Sequence, residues 1–339
     1  MNHEILQIKA LLNHDGSVAE PGWAKQLLPV YDNKDIKASK LRIKEWDYYI
    51  VLNDDGYGFS MCYADNRYMG IIGATFFDFV NKEQYDFLVP RVFPMGRMGL
   101  SSDSAKGNIR FDNSRCKFVY EIFPGARCLY CNYKKTPFSP AIEAEIVLQQ
   151  PPMDTMVIVT PWKEDPTAFY YNQKINCMRA EGTVRINAKT YRFSQEKDFG
   201  TLDWGRGVWT YDNTWYWGSG NCLVDGKRFG YNIGYGFGDT SAASENMLFY
   251  DGVAHKLDKV IFKIPENIMD PWKFISNDKR FEMDFFPEYD NRTHISLGII
   301  SQNAHQVFGK IRGTAVLDDG STLKIQDALV FAERVRNRY

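Results

Sequence analysis

No apolar run in the chain approaches the roughly 20 residues that a membrane-crossing helix needs, so no integral membrane segment is expected. The first residues, MNHEILQIKALLNHDG, carry no apolar stretch flanked by basic residues; no secretory signal is expected, and the chain reads as cytoplasmic. Excess charge of one sign is missing too. With 41 basic and 42 acidic residues the net charge is −1, which advertises neither nucleic acid nor an anionic membrane as partner. Cysteine is sparse, six in 339 residues, and without a secretory signal these read as free thiols. Cys128 and Cys131 have metal-ligand spacing, but a zinc site needs two further ligands and no second such pair exists, so no metal is expected. The five histidines, His3, His14, His255, His294 and His305, all lie outside the densest motif region, which excludes a Ser-His-Asp relay there. There is no Gly-x-Ser-x-Gly elbow and no phosphate loop. The glycines of NIGYGFGD alternate at strand period instead of opening a helix, so they are no dinucleotide fingerprint. Any catalysis is therefore expected to run on carboxylates and tyrosines without a cofactor.

Strand signals and aromatic residues are abundant. Aromatics make up 15% of the chain and hydrophobic residues 44%. Short β-rich runs broken by Asp-Gly and Asn turns recur, as in WDYYIVLNDDGYGFSMCYADNRYMGIIGATFFDF and TWYWGSGNCLVDGKRFGYNIGYGF. Only residues 3–12 and short stretches such as 142–148 have a helical pattern. The expectation is an all-β protein with antiparallel pairing through tight turns. Its length suggests two domains. Prolines in QQPPMD (149–154) and WKEDP (162–166) mark the boundary, giving domains of 1–165 and 166–339. A faint internal repeat supports this. Trp46 precedes the Asp55-Gly56 turn, and Trp215 precedes the Asp225-Gly226 turn at nearly the same distance.

The second hairpin can be registered from its turn. With Asp225-Gly226 as a two-residue turn, Val224 faces Lys227, Ser219 faces Asn232, Trp217 faces Gly234 and Trp215 faces Gly236. One sheet face then carries Trp215, Trp217, Ser219 and Asn232 over a period-two row, Gly234, Gly236 and Gly238, that reads as a groove with an aromatic wall or as an aromatic-filled core gap. Just before it, DWGRGVWTYDNTWYW gathers four of the eight tryptophans beside an aspartate and an arginine.

DWGRGVWTYDNTWYWGSG, FYYNQKINCM, FGYNIGYGFGDTSAASENMLFYDG and RIKEWDYY resemble the family called domain of unknown function 2804, over nearly the whole chain from PGWAKQLL to AERV. That family is more distantly similar to the carotenoid hydratase (hydroxyneurosporene synthase) and AttH-like group. The resemblance implies two tandem lipocalin-like antiparallel β-barrels. In the wider group the second barrel carries a tyrosine-rich strand, a Trp-x-Asp-x-Glu-Trp-like turn and a Trp-x-Trp hairpin. The equivalents here are FYYNQ, TLDWGRGVW and TWYWGSGN; Asp203 falls on the motif aspartate, while Gly205 stands where the motif glutamate would be.

The candidate catalytic acids are Asp203, Glu245 and Asp239, with Asp47 and Asp65 in the first half. An acid among indole rings is desolvated, which suits a general acid, whereas a direct pair with Arg206 would hold Asp203 ionised as an anchor. Glu245 reads as an acid or base at a barrel mouth, or as a loop residue. The candidate substrate contacts are Arg206, Trp204, Trp209, Trp215, Trp217, Asn232, Tyr171, Asn172 and Gln173. With Asn176 and Ser219 these favour a polar or amphipathic ligand. The expected function is a cofactor-independent acid–base enzyme working through a cation-like transition state, of hydratase, cyclase, lyase or glycosidase type. The alternatives are a lipocalin-like carrier of a small hydrophobic ligand and a carbohydrate-binding protein. The oligomeric state is left open.

Overall fold

The computed structural model describes residues 2–298 and 300–338. Among these the protein is strands and turns, with two short 3-10 turns at Asn33–Asp35 and Lys40–Arg42. The stretch AIEAEIVL, which reads as a strand run and also has a helical pattern over 142–148, is the strand Ile142–Gln149, in which Ile142, Ala144, Ile146 and Leu148 are the buried positions. Its Ala, Glu and Leu content favours helix, but the period-two burial decides for strand. Residues 3–12 are extended as well, with Lys9–Ala10 paired in parallel to Pro29–Val30.

The chain folds into two compact units. The larger comprises residues 1–38, 154–176 and 207–339, and the smaller comprises 39–153 and 177–206. The units are interleaved along the chain, where a single cut after residue 165 was expected. The reason is that two long strands, Phe169–Ile186 and Phe199–Val208, each carry the chain from one unit into the other. The proline-rich QQPPMD does contain one crossing, at 153/154.

In the smaller unit one sheet runs in the order Glu83–Val92, Met69–Asp78, Tyr57–Asp65, Ile43–Asn53, Phe199–Val208, Phe169–Ile186, Ile142–Gln149, Ala126–Tyr133, Cys116–Phe123 and Ile109–Asp112. In the larger unit the order is Val253–Lys256, Met247–Tyr250, Lys227–Tyr235, Asp212–Val224, Thr322–Arg338, Ile300–Val316, Phe281–Leu297, Trp272–Ser276 and Val260–Lys263. Each sheet curls as a half-barrel, the all-β tandem lipocalin-like architecture that the resemblance implies. CLYC lies in the strand Ala126–Tyr133, where residues three apart point to opposite faces, so Cys128 and Cys131 do not converge. All six cysteines are free.

The Asp225-Gly226 turn has positive φ at both residues, +52° and +74°, the signature of a type I′ turn. The ladder it sets pairs Val224 with Lys227, Ser219 with Asn232 and Trp217 with Gly234. It ends at Tyr216 and Tyr235, one pair short of the expected Trp215–Gly236 contact, because Gly236 turns away with φ +97°. The first hairpin, Ile43–Asn53 with Tyr57–Asp65, closes through a three-residue loop instead, from Asn53 to Tyr57. On one face of the second hairpin, Tyr231 and Ile233 join an apolar core with Phe262, Trp272, Phe274, Phe285 and Val330. Trp217, Ser219 and Asn232 occupy the other face. The glycine row is closely packed, not open: a Cβ on Gly234 would collide with Glu245 Oε1, one on Gly236 with Thr214 O, and one on Gly238 with Pro161 O.

Two glycines separate backbone strain from steric exclusion. A Cβ at Gly226 meets nothing within 4 Å, so Gly226→Ala adds only left-handed strain, about 1–2 kcal/mol. A Cβ at Gly205 would overlap the Trp46 ring. Gly205→Ala must displace that indole and is expected to cost about 1–3 kcal/mol by chemical denaturation, with Trp46→Ala in the same chain recovering part of the loss. No recovery in the double variant would mean that Trp46 is not what excludes a side chain at 205.

Candidate functional site

The functional residues are built outward from Trp217. Its Nε1 donates to Asn232 Oδ1 at 2.7 Å, and Asn232 Nδ2 donates to the Glu245 carbonyl at 2.9 Å. The Gly234 amide donates to Asn246 Oδ1 at 2.7 Å. These three bonds fasten residues 245–246 onto the hairpin and lay the Glu245 carboxylate over Gly234, the cross-strand partner of Trp217. Glu245 is only 2% exposed, so it sits inside the unit and not at a solvated mouth or loop.

The strand Phe169–Ile186 supplies the opposing groups. Lys174 Nζ lies 3.9 Å from the centroid of the Trp217 ring. Asn176 Nδ2 donates to Ser219 Oγ at 2.9 Å and to the Tyr231 carbonyl at 3.1 Å. Strand alternation puts Asn172, Lys174 and Asn176 on this face, and all three are buried. Tyr171 and Gln173 point the other way. Tyr171 Oη donates to Pro29 O at 2.7 Å, and Gln173 Nε2 donates to Thr155 Oγ1 at 2.9 Å. Adjacent residues in a strand cannot share a face, so Tyr171, Asn172 and Gln173 do not form one set of contacts.

On the other side of Trp217 its cross-strand partner is Glu333. Glu333 accepts hydrogen bonds from Trp215 Nε1 at 3.3 Å and Gln306 Nε2 at 2.9 Å. Trp215 also belongs to an aromatic cluster: its ring centroid is 5.2 Å from Trp209 and 5.7 Å from Phe237, and Tyr170 stacks on Phe237 at 4.6 Å. Trp209 and Trp215 are thus largely engaged with other rings.

Asp203, Trp204 and Arg206 belong to the smaller unit, while Trp209, Trp215, Trp217, Asn232 and Glu245 belong to the larger. Arg206 is fully buried and pairs with Asp47 at 2.9 Å, not with Asp203. All five of its N–H donors are used: Asp47 Oδ1, the Trp46 and Gly205 carbonyls, and the Ser101 carbonyl twice. Its guanidinium lies 4.2 Å from the Trp204 ring centroid. This is a saturated strut. Asp203 is nearly buried on the same strand. Burial pushes the Cys62 thiol up to about 12, and the Asp203 and Asp47 charges add to that shift. Asp65, also buried, accepts from the Arg67 and Gly96 amides and so shapes a loop. Asp239 Oδ1 accepts from the Ser241 amide at 2.9 Å, and Lys163 lies 3.6 Å from its carboxylate. Burial raises its pKa, but those partners outweigh burial and hold the carboxyl below the usual range, which suits a turn anchor better than a proton donor.

Reasoning from sequence missed Lys174, Glu333 and Lys256. The one available signal was for Lys174: polar residues at alternate positions, 172, 174 and 176, in an otherwise apolar strand. Lys256 Nζ donates to Ser244 Oγ, Asn246 O and Leu257 O at 2.9, 2.8 and 2.5 Å, behind the Glu245 segment. Burial pushes it down to about 7, against the pull of Asp258, Glu245 and Asp278. Between that value and the ordinary 10.5 the unfolded chain holds a proton that the folded chain has released, so folding stability rises with pH across this window. The stability of the wild type relative to Lys256→Met is therefore expected to increase from pH 7 to 9 in melting experiments. A difference independent of pH would show that Lys256 does not titrate in that range.

No curated protein sequence matches the chain. Among solved structures, CghA with Sch210972 superposes with a TM-score of 0.51 at 11% identity, covering 98% of this chain and 97% of that one. A putative AttH from Nitrosomonas europaea superposes at 0.52 with 10% identity, over 90% and 96% of the two chains. A kievitone hydratase from Nectria haematococca covers 98% of both chains at 9% identity, with a TM-score of 0.48. At such identities the first two establish the shared fold alone. The sequence model of one family, by contrast, matches residues 2–339, and the chain belongs to that family, the domain of unknown function DUF2804.

Proposed function

We propose that the chain is an acid–base enzyme for a polar or amphipathic small molecule, with Glu245 moving a proton and Lys174 stabilising negative charge that develops on the substrate. One observation carries this reading: a buried carboxylate and a buried ammonium meet on a single cross-strand pair, Trp217 and Gly234. Burying two ionisable groups costs several kcal/mol each before their mutual attraction, and such arrangements are enriched at active sites. Asn172, Asn176, Ser219 and Asn232 add hydrogen-bonding groups on the same face, which suits a ligand with hydroxyl or carbonyl oxygens.

The charge pattern favours one kind of transition state. The Trp217 face already carries an ammonium, so a substrate cation there would meet like charge. A developing enolate oxygen would instead meet an opposite charge. This replaces the cation-like transition state expected from the sequence and points to hydration or dehydration beside a carbonyl. In the dehydration direction Glu245 takes the proton α to the carbonyl and the C–H electron pair makes an enolate whose oxygen faces Lys174. The enolate then collapses, re-forming the carbonyl and making the α,β double bond as the β C–O bond breaks, and the departing hydroxyl receives the proton from Glu245 and leaves as water. The fold accommodates a small molecule in at least one relative, CghA, whose structure holds Sch210972. Glycoside hydrolysis is the second reading, favoured by Glu333: its strand and that of Gly234 flank the Trp217 strand, and two strand spacings amount to about 9–10 Å, close to an inverting carboxylate pair.

The test is turnover by the full chain against two panels, β-hydroxycarbonyl compounds with their unsaturated partners, and 4-nitrophenyl glycosides. Consumption of a member of the first panel is expected, slowed about 10²–10⁴-fold by Glu245→Gln with little change in melting temperature. Lys174→Met should reduce kcat more than it raises KM. Turnover unaffected by either change sinks the assignment, and glycoside cleavage abolished by Glu333→Gln moves it to the second reading.

A further inference from the structure

The smaller unit contains a buried cation that has no ion-pair partner among the described residues. Arg127, 2% exposed, lies in the strand Ala126–Tyr133. Its hydrogen-bond partners are all neutral: Nε donates to Gln150 Oε1 at 2.7 Å, and Nη1 donates to Tyr49 Oη at 3.1 Å and to the Ser104 carbonyl at 2.8 Å. Nη2 takes part in none of these bonds. The acid within electrostatic reach, Asp47, is already paired with Arg206, whose five donors are spent. Asp47 therefore serves two guanidiniums, and its hydrogen bond goes to Arg206.

A second, independent group waits beside it. Tyr120 is 1% exposed, and its hydroxyl has no hydrogen-bond partner among the described residues. Leu129 is directly opposite Tyr120, and Arg127 lies two residues along on the same face, the diagonal position that long side chains reach. Tyr49, which accepts from Arg127, packs edge-on against Tyr120 with centroids 4.8 Å apart. Phe118 also lies 4.8 Å from Tyr120, so the surroundings are aromatic. Both arginines reach one loop, Arg206 through the Ser101 carbonyl and Arg127 through that of Ser104.

We infer that the interior of the smaller unit is a binding site for a small-molecule carboxylate with an apolar or aromatic body. The carboxylate accepts hydrogen bonds from Nη2 of Arg127 and from Tyr120 Oη, while the body packs on Tyr49, Phe118 and Leu129. A carboxylate is the natural complement because a guanidinium and a phenol both donate and neither accepts from its present partners.

The experiment measures binding to the full chain by calorimetry and thermal shift. The probes are benzoate, 3-phenylpropionate, octanoate and dodecanoate, each beside its corresponding primary alcohol. At least one carboxylate is expected to bind about tenfold or more tightly than its alcohol. Tyr120→Phe deletes only an unbonded hydroxyl, so its melting temperature should equal or exceed that of wild type while its carboxylate affinity falls several-fold. Arg127→Lys, which keeps the charge, should lose most of the preference over the alcohol. Equal binding of acids and alcohols, no binding of any carboxylate, or undiminished binding by Tyr120→Phe overturns the inference.

Discussion

The contact between Trp217 and Gly234 is the one on which the candidate site depends. A side chain at 234 would occupy the space where the Glu245 carboxylate lies, and a smaller ring at 217 would leave Lys174 without its aromatic platform. The pairing follows from the two positive φ values of Asp225 and Gly226, which set the register of the ladder. A slip of one residue in the strand Asp212–Val224 would turn Trp217 and Ser219 into the apolar core and bring Tyr216 and Gly218 out to meet Lys174. A two-residue turn thus determines which face of the sheet is chemical.

The buried charges in the two units are handled differently, and the difference bears on what each can do. Arg206 has every N–H donor bonded and an aspartate partner, so its desolvation is offset within the fold. Such a group is rigid and has nothing left to offer a ligand. Arg127 is equally buried with neutral acceptors alone, and Glu245 has its carboxylate packed on bare backbone. Those are the positions at which a bound molecule changes the electrostatic balance most.

Much of this was legible in the sequence, for reasons that can be located. Asp-Gly between alternating strands specifies a type I′ turn, so Ser219–Asn232 and Trp217–Gly234 followed by counting. The register failed only at Trp215, because counting assumed a straight strand and Gly236 bends. The stretch at Ile142 read both as strand and as helix because its residues have helical propensity while its burial has strand period. The interleaving of the units was not legible, since a strand such as Phe199–Val208 that serves both carries no mark of the change in its residues. A direct pair of Arg206 with Asp203 was one of the readings left open, suggested by proximity in sequence, but the partner of Arg206 is Asp47, distant along the chain. Ion pairs across a sheet leave no local signature; Lys174 did leave one, the alternating polar residues 172, 174 and 176, but the ring that it meets is 43 residues away along the chain.

The departure of this chain from the wider group's motif has a physical cause in Trp46. Its indole lies against the backbone at Gly205, in the space that any side chain there would need. A glutamate at 205 and a tryptophan at 46 in its present position are mutually exclusive. The space that a glutamate at 205, the acid that the resemblance implies there, would need is filled by an aromatic ring. If the chain retains acid–base chemistry, the second acid must come from another element, and Glu245 meets that requirement because Gly234 leaves room for a carboxylate on the backbone. The two glycines are complementary in this sense: one admits an indole and so excludes an acid, and the other admits an acid that the strand itself does not carry.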